Sequence, residues 1–154
     1  MTTTQEIKVG TGLNNIKFGI SRDDLKVILG EPSEMEQLSS DDDEDEYLVE
    51  AWHYDESDLS FSFDEEDDWK LTGIASNSDE LIFKDMKISG MSIDDIKAYL
   101  IKEDLGEFEI EELDEDQKLL SILSLSANFW FESNKLTEVQ WSVLWENEDT
   151  PIWP

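Results

Sequence analysis

Apolar residues follow two periods along this chain. Leu25, Ile28 and Leu29 form one stripe, and Ile96, Tyr99 and Leu100 form its counterpart further on, with the three-to-four spacing of an amphipathic helix. Elsewhere the period is two. Leu59, Phe61 and Phe63 alternate with Ser60 and Ser62, and Phe129 and Phe131 flank Trp130. Thr137, Val139, Trp141, Val143 and Trp145 fall on one face of a long final strand. Residues 50–54 and 120–125 read as the strand before each Phe-x-Phe segment. Both helices carry start signals. Ser21 and Ser92 stand as N-caps, with Asp24 and Asp95 three residues on and facing the positive end of the helix dipole. Gly30 and Pro32 mark the first stop.

These elements recur in order. Gly19-Ile20-Ser21-Arg22-Asp23-Asp24-Leu25-Lys26-Val27-Ile28-Leu29 returns as Gly90-Met91-Ser92-Ile93-Asp94-Asp95-Ile96-Lys97-Ala98-Tyr99-Leu100. Phe61-Ser62-Phe63, then Lys70-Leu71-Thr72-Gly73-Ile74, returns as Phe129-Trp130-Phe131, then Lys135-Leu136-Thr137-Glu138-Val139. The expectation is a single domain of two repeats, about residues 12–76 and 83–145. Each repeat is a helix–β–β–β unit, giving an α+β fold with an antiparallel sheet and helices packed on one face.

Composition adds charge to this outline. Asp and Glu number 40 against 11 Lys and Arg, a formal net charge of -29 in 154 residues. Six Trp, seven Phe and three Tyr separate the chain from disordered acidic tails and supply large buried areas. Such a charge repels phosphate backbones and anionic membranes, and it steers a basic protein partner inward. The acids gather in runs: Asp41, Asp42, Asp43, Glu44, Asp45 and Glu46; then Asp64, Glu65, Glu66, Asp67 and Asp68; then seven acids between Glu107 and Asp116. With no cysteine there is no disulfide or thiolate chemistry, and the N-terminal residues lack an apolar signal core, which implies the cytoplasm.

Catalytic chemistry is thin. The one histidine, His53, sits beside Trp52 and Tyr54 on an expected strand, where a structural role is commoner than general-base work. No glycine-rich phosphate loop and no Ser–His–Asp or Cys–His signature occurs. The acidic runs lack the glycine and terminal glutamate of a calcium loop, so neither a metal nor another cofactor is expected. The aromatics point elsewhere. Trp69 ends the acidic hairpin and Trp130 should face away from Phe129 and Phe131, so both suit a protein-binding surface as anchors beside steering charge.

The segment Ile16-Lys17-Phe18-Gly19-Ile20-Ser21 with Leu29-Gly30-Glu31-Pro32 resembles a recurrent pattern of small cytosolic bacterial proteins. Trp52-His53-Tyr54, Asn128-Phe129-Trp130-Phe131-Glu132 and Ile152-Trp153-Pro154 look like the same family. The Gly-Met-Ser helix start at Gly90-Met91-Ser92 and the Leu-Gly-x-Pro ending at Leu29-Gly30-Glu31-Pro32 also resemble the module of the outer-membrane assembly lipoproteins and the β-lactamase inhibitory proteins. The resemblance implies a two-copy architecture suited to inhibiting another protein. The expected function is therefore that of a non-enzymatic immunity protein that occludes a basic, nuclease-type toxin domain. Its binding residues would be those of the 41–46 and 64–68 runs, Trp69 and Trp130. A nucleic-acid mimic and an acidic housekeeping interaction domain are the alternatives.

Overall fold

The computed structural model describes residues 5–41, 46–84, 86–147 and 150–154. Three short strands open the chain: β1 (Gln5–Lys8), β2 (Gly12–Leu13) and β3 (Ile16–Lys17). Helix α1 (Arg22–Leu29) leads into β4 (Glu34–Asp41), β5 (Glu46–Tyr54), β6 (Leu59–Asp64) and β7 (Lys70–Ser76). Two more short strands follow, β8 (Leu81–Phe83) and β9 (Met86–Lys87). Helix α2 (Ile93–Lys102) leads into β10 (Glu109–Glu112), β11 (Gln117–Ile122), β12 (Ala127–Glu132) and β13 (Lys135–Ser142). A last hairpin pairs β14 (Leu144–Asn147) with β15 (Thr150–Ile152).

The large sheet has eight antiparallel strands in the order β10-β11-β12-β13-β7-β6-β5-β4. A five-stranded sheet, β3-β2-β1-β8-β9, joins residues from both ends of the first helix region through the parallel β1–β8 pair. Alternation decides which face of the large sheet is buried. Phe61, Phe63, Leu71, Ile74, Phe129, Phe131, Val139 and Trp141 all point into one core. The small sheet adds Ile7, Leu13, Ile16, Leu81 and Phe83 to the same cluster. The two sheets are tied directly: the Trp141 indole N–H donates to the Gly12 carbonyl at 2.8 Å, and Ser76 Oγ donates to Gln5 Oε1 at 2.6 Å. The Phe83 and Phe129 rings meet edge-on 6.1 Å apart.

The expected α+β class with helices packed on one sheet face is overturned. Half of the described residues are in strands and 17% in helices, so the fold is mostly β. Each helix is followed by four strands rather than three. Among the described residues the helices bury Leu25 from α1 and Ile93, Ile96 and Leu100 from α2, with Leu29 and Tyr99 partly buried against the cluster, and the small sheet covers the large one alongside them. The missed strands lack the signal that alternation provides. β4, EMEQLSSD, and β10, EIEE, are edge strands exposed along every described side chain, so neither has a buried face. The long final strand is also corrected. It stops at Ser142, and a register shift between Trp130 and Phe131 against β13 leaves Thr137 exposed while Leu136, Val139 and Trp141 are buried.

Helix caps form as their residues dictate. Ser21 Oγ accepts from the Asp24 amide at 3.1 Å and Ser92 Oγ from the Asp95 amide at 3.2 Å. The two halves of the large sheet also correspond in detail. The β6–β7 ladder slips between Ser62 and Phe63, as the β12–β13 ladder slips between Trp130 and Phe131. Thr72 Oγ1 donates to the Ser62 carbonyl at 3.3 Å, and Thr137 Oγ1 to the Trp130 carbonyl at 3.2 Å. The Leu71 amide donates to Ile20 and the Leu136 amide to Met91, both at 2.9 Å. In the central β7–β13 pair, Ile74 faces Trp141 and Ser76 faces Val139, which exchange under a local two-fold axis through the Ala75–Gln140 pair.

Candidate functional site

The first group of candidate residues converges at one end of the large sheet. The β4–β5 ladder runs to Asp41 opposite Glu46, and Val49 of β5 faces Asp64 of β6. The strand ends leading into the 41–46 and 64–68 runs therefore lie side by side. Asp42, Asp43, Glu44 and Asp45 fall outside the described residues. Asp64 closes β6, Glu65, Glu66 and Asp67 form a single 3-10 turn, and Asp68 and Trp69 follow in left-handed conformation. Burial lifts the Asp64 carboxyl above its ordinary range, against the Thr72 hydroxyl that donates to it at 3.1 Å and with the help of Asp67. Burial likewise lifts Asp67, opposed by Lys70 and reinforced by Asp68.

Trp69 is not a free anchor. It is half-buried against the core, and the Arg22 guanidinium lies 4.6 Å over its ring while reaching Glu50 at 3.0 Å. Trp130 stands in the other half of the sheet, on the face opposite the core. A rise of about 3.3 Å per residue and about 4.8 Å between strands put it on the order of 20–25 Å from Asp64. The structure thus brings the described ends of the 41–46 run, the 64–68 turn and Trp69 to one end of the sheet and leaves Trp130 apart. Its indole N–H is covered and has no acceptor among the described residues.

The open face of the sheet forms a second region. Register places one row of residues across all eight strands: Glu34, His53, Ser60, Ala75, Gln140, Asn128, Ser121 and Glu109. A neighbouring row runs Glu36, Ala51, Ser62, Gly73 and Ser142. Around the centre these small side chains leave a shallow cavity of about 280 Å³ lined by Ser60, Ser62, Gly73, Ala75, Asn128 and Gln140, among others. A second hollow of about 200 Å³ shares Ser60 and Ala75 and extends to His53, Asp55, Asp58 and Glu138. In a chain one-third charged, the central floor carries no charged side chain, while carboxylates stand around it. Glu138, raised above its ordinary value by burial, accepts from Gln140 Nε2 at 3.3 Å and has no cation beside it among the described residues.

His53 links three strands at the rim. Its Nδ1 lies 2.8 Å from Ser60 Oγ, and its Nε2 lies 3.0 Å from Glu36 Oε1 without the alignment of a hydrogen bond. The order Ser–His–Glu resembles a charge relay. The surrounding amides of β5, β6 and β7 are engaged in ladder pairing, so this level offers no pair of free N–H donors to a developing oxyanion. The geometry supports a positioned cross-strand histidine. Among the described residues no group of three or more His, Asp or Glu is placed to hold a metal ion, and no helix is long and apolar enough to cross a membrane. Nothing in the sequence marked the open floor, because Ser, Gly and Ala there read only as the polar half of an alternating strand.

No protein-family model matches the chain, and no curated protein matches it. A solved structure, of an extracellular protein containing an SCP domain from Bacillus anthracis str. Ames, is similar with a TM-score of 0.51 and 16% sequence identity. The match covers 87% of this chain and 49% of that one, so the chain spans about half the length of its structural neighbour. At that identity the likeness is one of fold alone.

Proposed function

We propose that the protein is an immunity protein that acts in the cytoplasm by docking onto a basic, nuclease-type toxin domain and occluding it. The observation that carries this reading is the meeting, at one end of the large sheet, of the strand ends leading into the 41–46 and 64–68 runs. Burial there already disfavours the charged carboxylates of Asp64 and Asp67, and a cation from a partner would restore that balance. A net charge of -29 gives such a partner fast, salt-sensitive association.

Mimicry of nucleic acid fits less well. The open-face carboxylates at the two sheet edges, Glu34 and Glu36 against Glu109 and Glu111, are seven strand spacings apart, about 34 Å. That is far wider than the ~12 Å major groove whose phosphates they would have to imitate. Capture from the native host at moderate salt, followed by reconstitution of the captured protein with the purified chain, tests the proposal. The expected result is a basic protein whose activity is lost at equimolar addition. Recovery of no basic protein, or of one whose activity is unchanged, refutes it.

A further inference from the structure

The corresponding halves of the large sheet differ in a selective way. On the buried face, four matched positions hold the same or nearly the same residue: Phe61 and Phe129, Phe63 and Phe131, Leu71 and Leu136, Ile74 and Val139; Leu59 against Ala127 and Ser76 against Trp141, at the far end, do not. Around the centre of the open face the matched pairs differ, although Thr72 and Thr137 nearer the sheet end are the same. Ser60 corresponds to Asn128, Ser62 to Trp130, Gly73 to Glu138 and Ala75 to Gln140. A symmetric scaffold thus presents an asymmetric surface, low where the small side chains lie and walled on one side by Trp130 and Glu138.

Gly73 strengthens the point. It sits in the middle of a central strand, where glycine weakens a sheet and often marks close approach of another chain or a ligand. Its backbone does not require glycine: its φ is not positive, and an added Cβ would meet Ser62 Cβ at an ordinary 3.7 Å. Its smallness keeps the floor low. Depletion of charge at the centre with charge around the rim is also the pattern of a protein–protein interface.

We propose that this open face, centred on Ala75 and Gln140, is the docking surface for a protruding loop of a basic protein that carries Lys or Arg at its tip. The inference rests on the occlusion reading and adds to it a separate contact at the neutral floor, away from the acidic sheet end. Charge complementarity selects the occupant. Glu138, Asp55 and Asp58 border the hollow beside the floor together with His53, and among the described residues no Lys or Arg pairs with these carboxylates, so a cation reaching them from the partner would meet unpaired negative charge. A second copy of this chain would bring another -29 to the same face and is repelled.

A phage-displayed library of disulfide-closed loops, selected against the whole chain at physiological salt, supplies the probe. Enriched loops are expected to carry Lys or Arg at the tip. Ala75→Trp, which fills the floor, should weaken them by about ten-fold or more. Asp67→Asn at the acidic sheet end should change their binding by less than about five-fold. A thermal melt checks that Ala75→Trp remains folded; if it does not, Ser62→Arg in the same floor carries the same expectation. Enrichment of loops without cations, or binding insensitive to the floor variant, overturns the proposal. That failure leaves the capture experiment standing, and failure of capture leaves the selection result standing, so the two readings fall separately.

Discussion

Replacing Gly73 by alanine should stabilise the protein. Gly73 belongs to β7, between β6 and β13, and its new methyl group would lie 3.7 Å from Ser62 Cβ and 3.9 Å from the Trp141 carbonyl oxygen. Those are van der Waals distances, and the backbone is in a region open to any residue. The remaining difference is the entropy of an unfolded glycine, about 0.5–1 kcal/mol. With a urea dependence of about 2 kcal/mol per molar, the denaturation midpoint should rise by about 0.25–0.5 M. Tryptophan fluorescence in urea reads the change directly. Gly12 is the control, because its φ of 149° and a Cβ placed 1.9 Å from the Ile16 carbonyl oxygen leave no room. Gly12→Ala should therefore lose more than about 2 kcal/mol. A Gly73→Ala midpoint at or below that of the parent refutes the claim that this glycine is structurally dispensable, and with it one support for the docking surface.

Three further outcomes follow from the same geometry. Trp141→Phe removes the indole bond to Gly12 that ties the two sheets and should cost about 2–4 kcal/mol in urea denaturation. Ser92→Ala and Ser21→Ala each delete one N-cap acceptor and should each cost about 1 kcal/mol, measured the same way. The folded state holds the Glu138 and Asp64 protons more tightly than the unfolded chain, whose ordinary values are 4.5 and 3.8. Their contribution is therefore unfavourable at neutral pH and is recovered as pH falls through the window just above those values. Glu138→Gln should raise stability at pH 7 and flatten its rise toward acid, which midpoints measured across that range will check.

How much of this was legible in the sequence depended on whether a residue faces the core. Phe61, Phe63, Phe129 and Phe131 announced their strands because one side of each strand is buried and the other is not. Ser21 and Ser92 announced the helix starts because a cap is a local bond between residues three apart. β4 and β10 were silent, since an edge strand with both described faces in solvent has no hydrophobic period to read. The small sheet was silent for another reason: strands of two to four residues are too short for a period, and β1 finds β8 across more than seventy residues. The site divided in the same way. Acidic runs and tryptophans stand out in composition, but the meeting of the strand ends at Asp41, Glu46 and Asp64 is a product of β5 pairing with β4 and β6. The open floor is a product of pairing alone.

The edge strands also sort the acidity by cause. An open eight-stranded sheet has two edges whose unpaired backbone invites other strands, and charge along an edge is a common defence. Glu34 and Glu36 on β4 and Glu109, Glu111 and Glu112 on β10 stand where that defence is needed, beside the exposed Met35, Leu38 and Ile110. The fold therefore accounts for those carboxylates without any partner. It does not account for Asp64 and Asp67, which lie in the turn between the interior strands β6 and β7, where burial works against their ionised forms. Carboxylates that shield an edge are best left fully solvated. Asp67 already has Lys70 beside it, but Asp64 is held partly out of water with Asp67 as its charged neighbour, and a cation supplied there would favour its ionised form, so the 64–68 turn bears on a basic partner more directly than the net charge does.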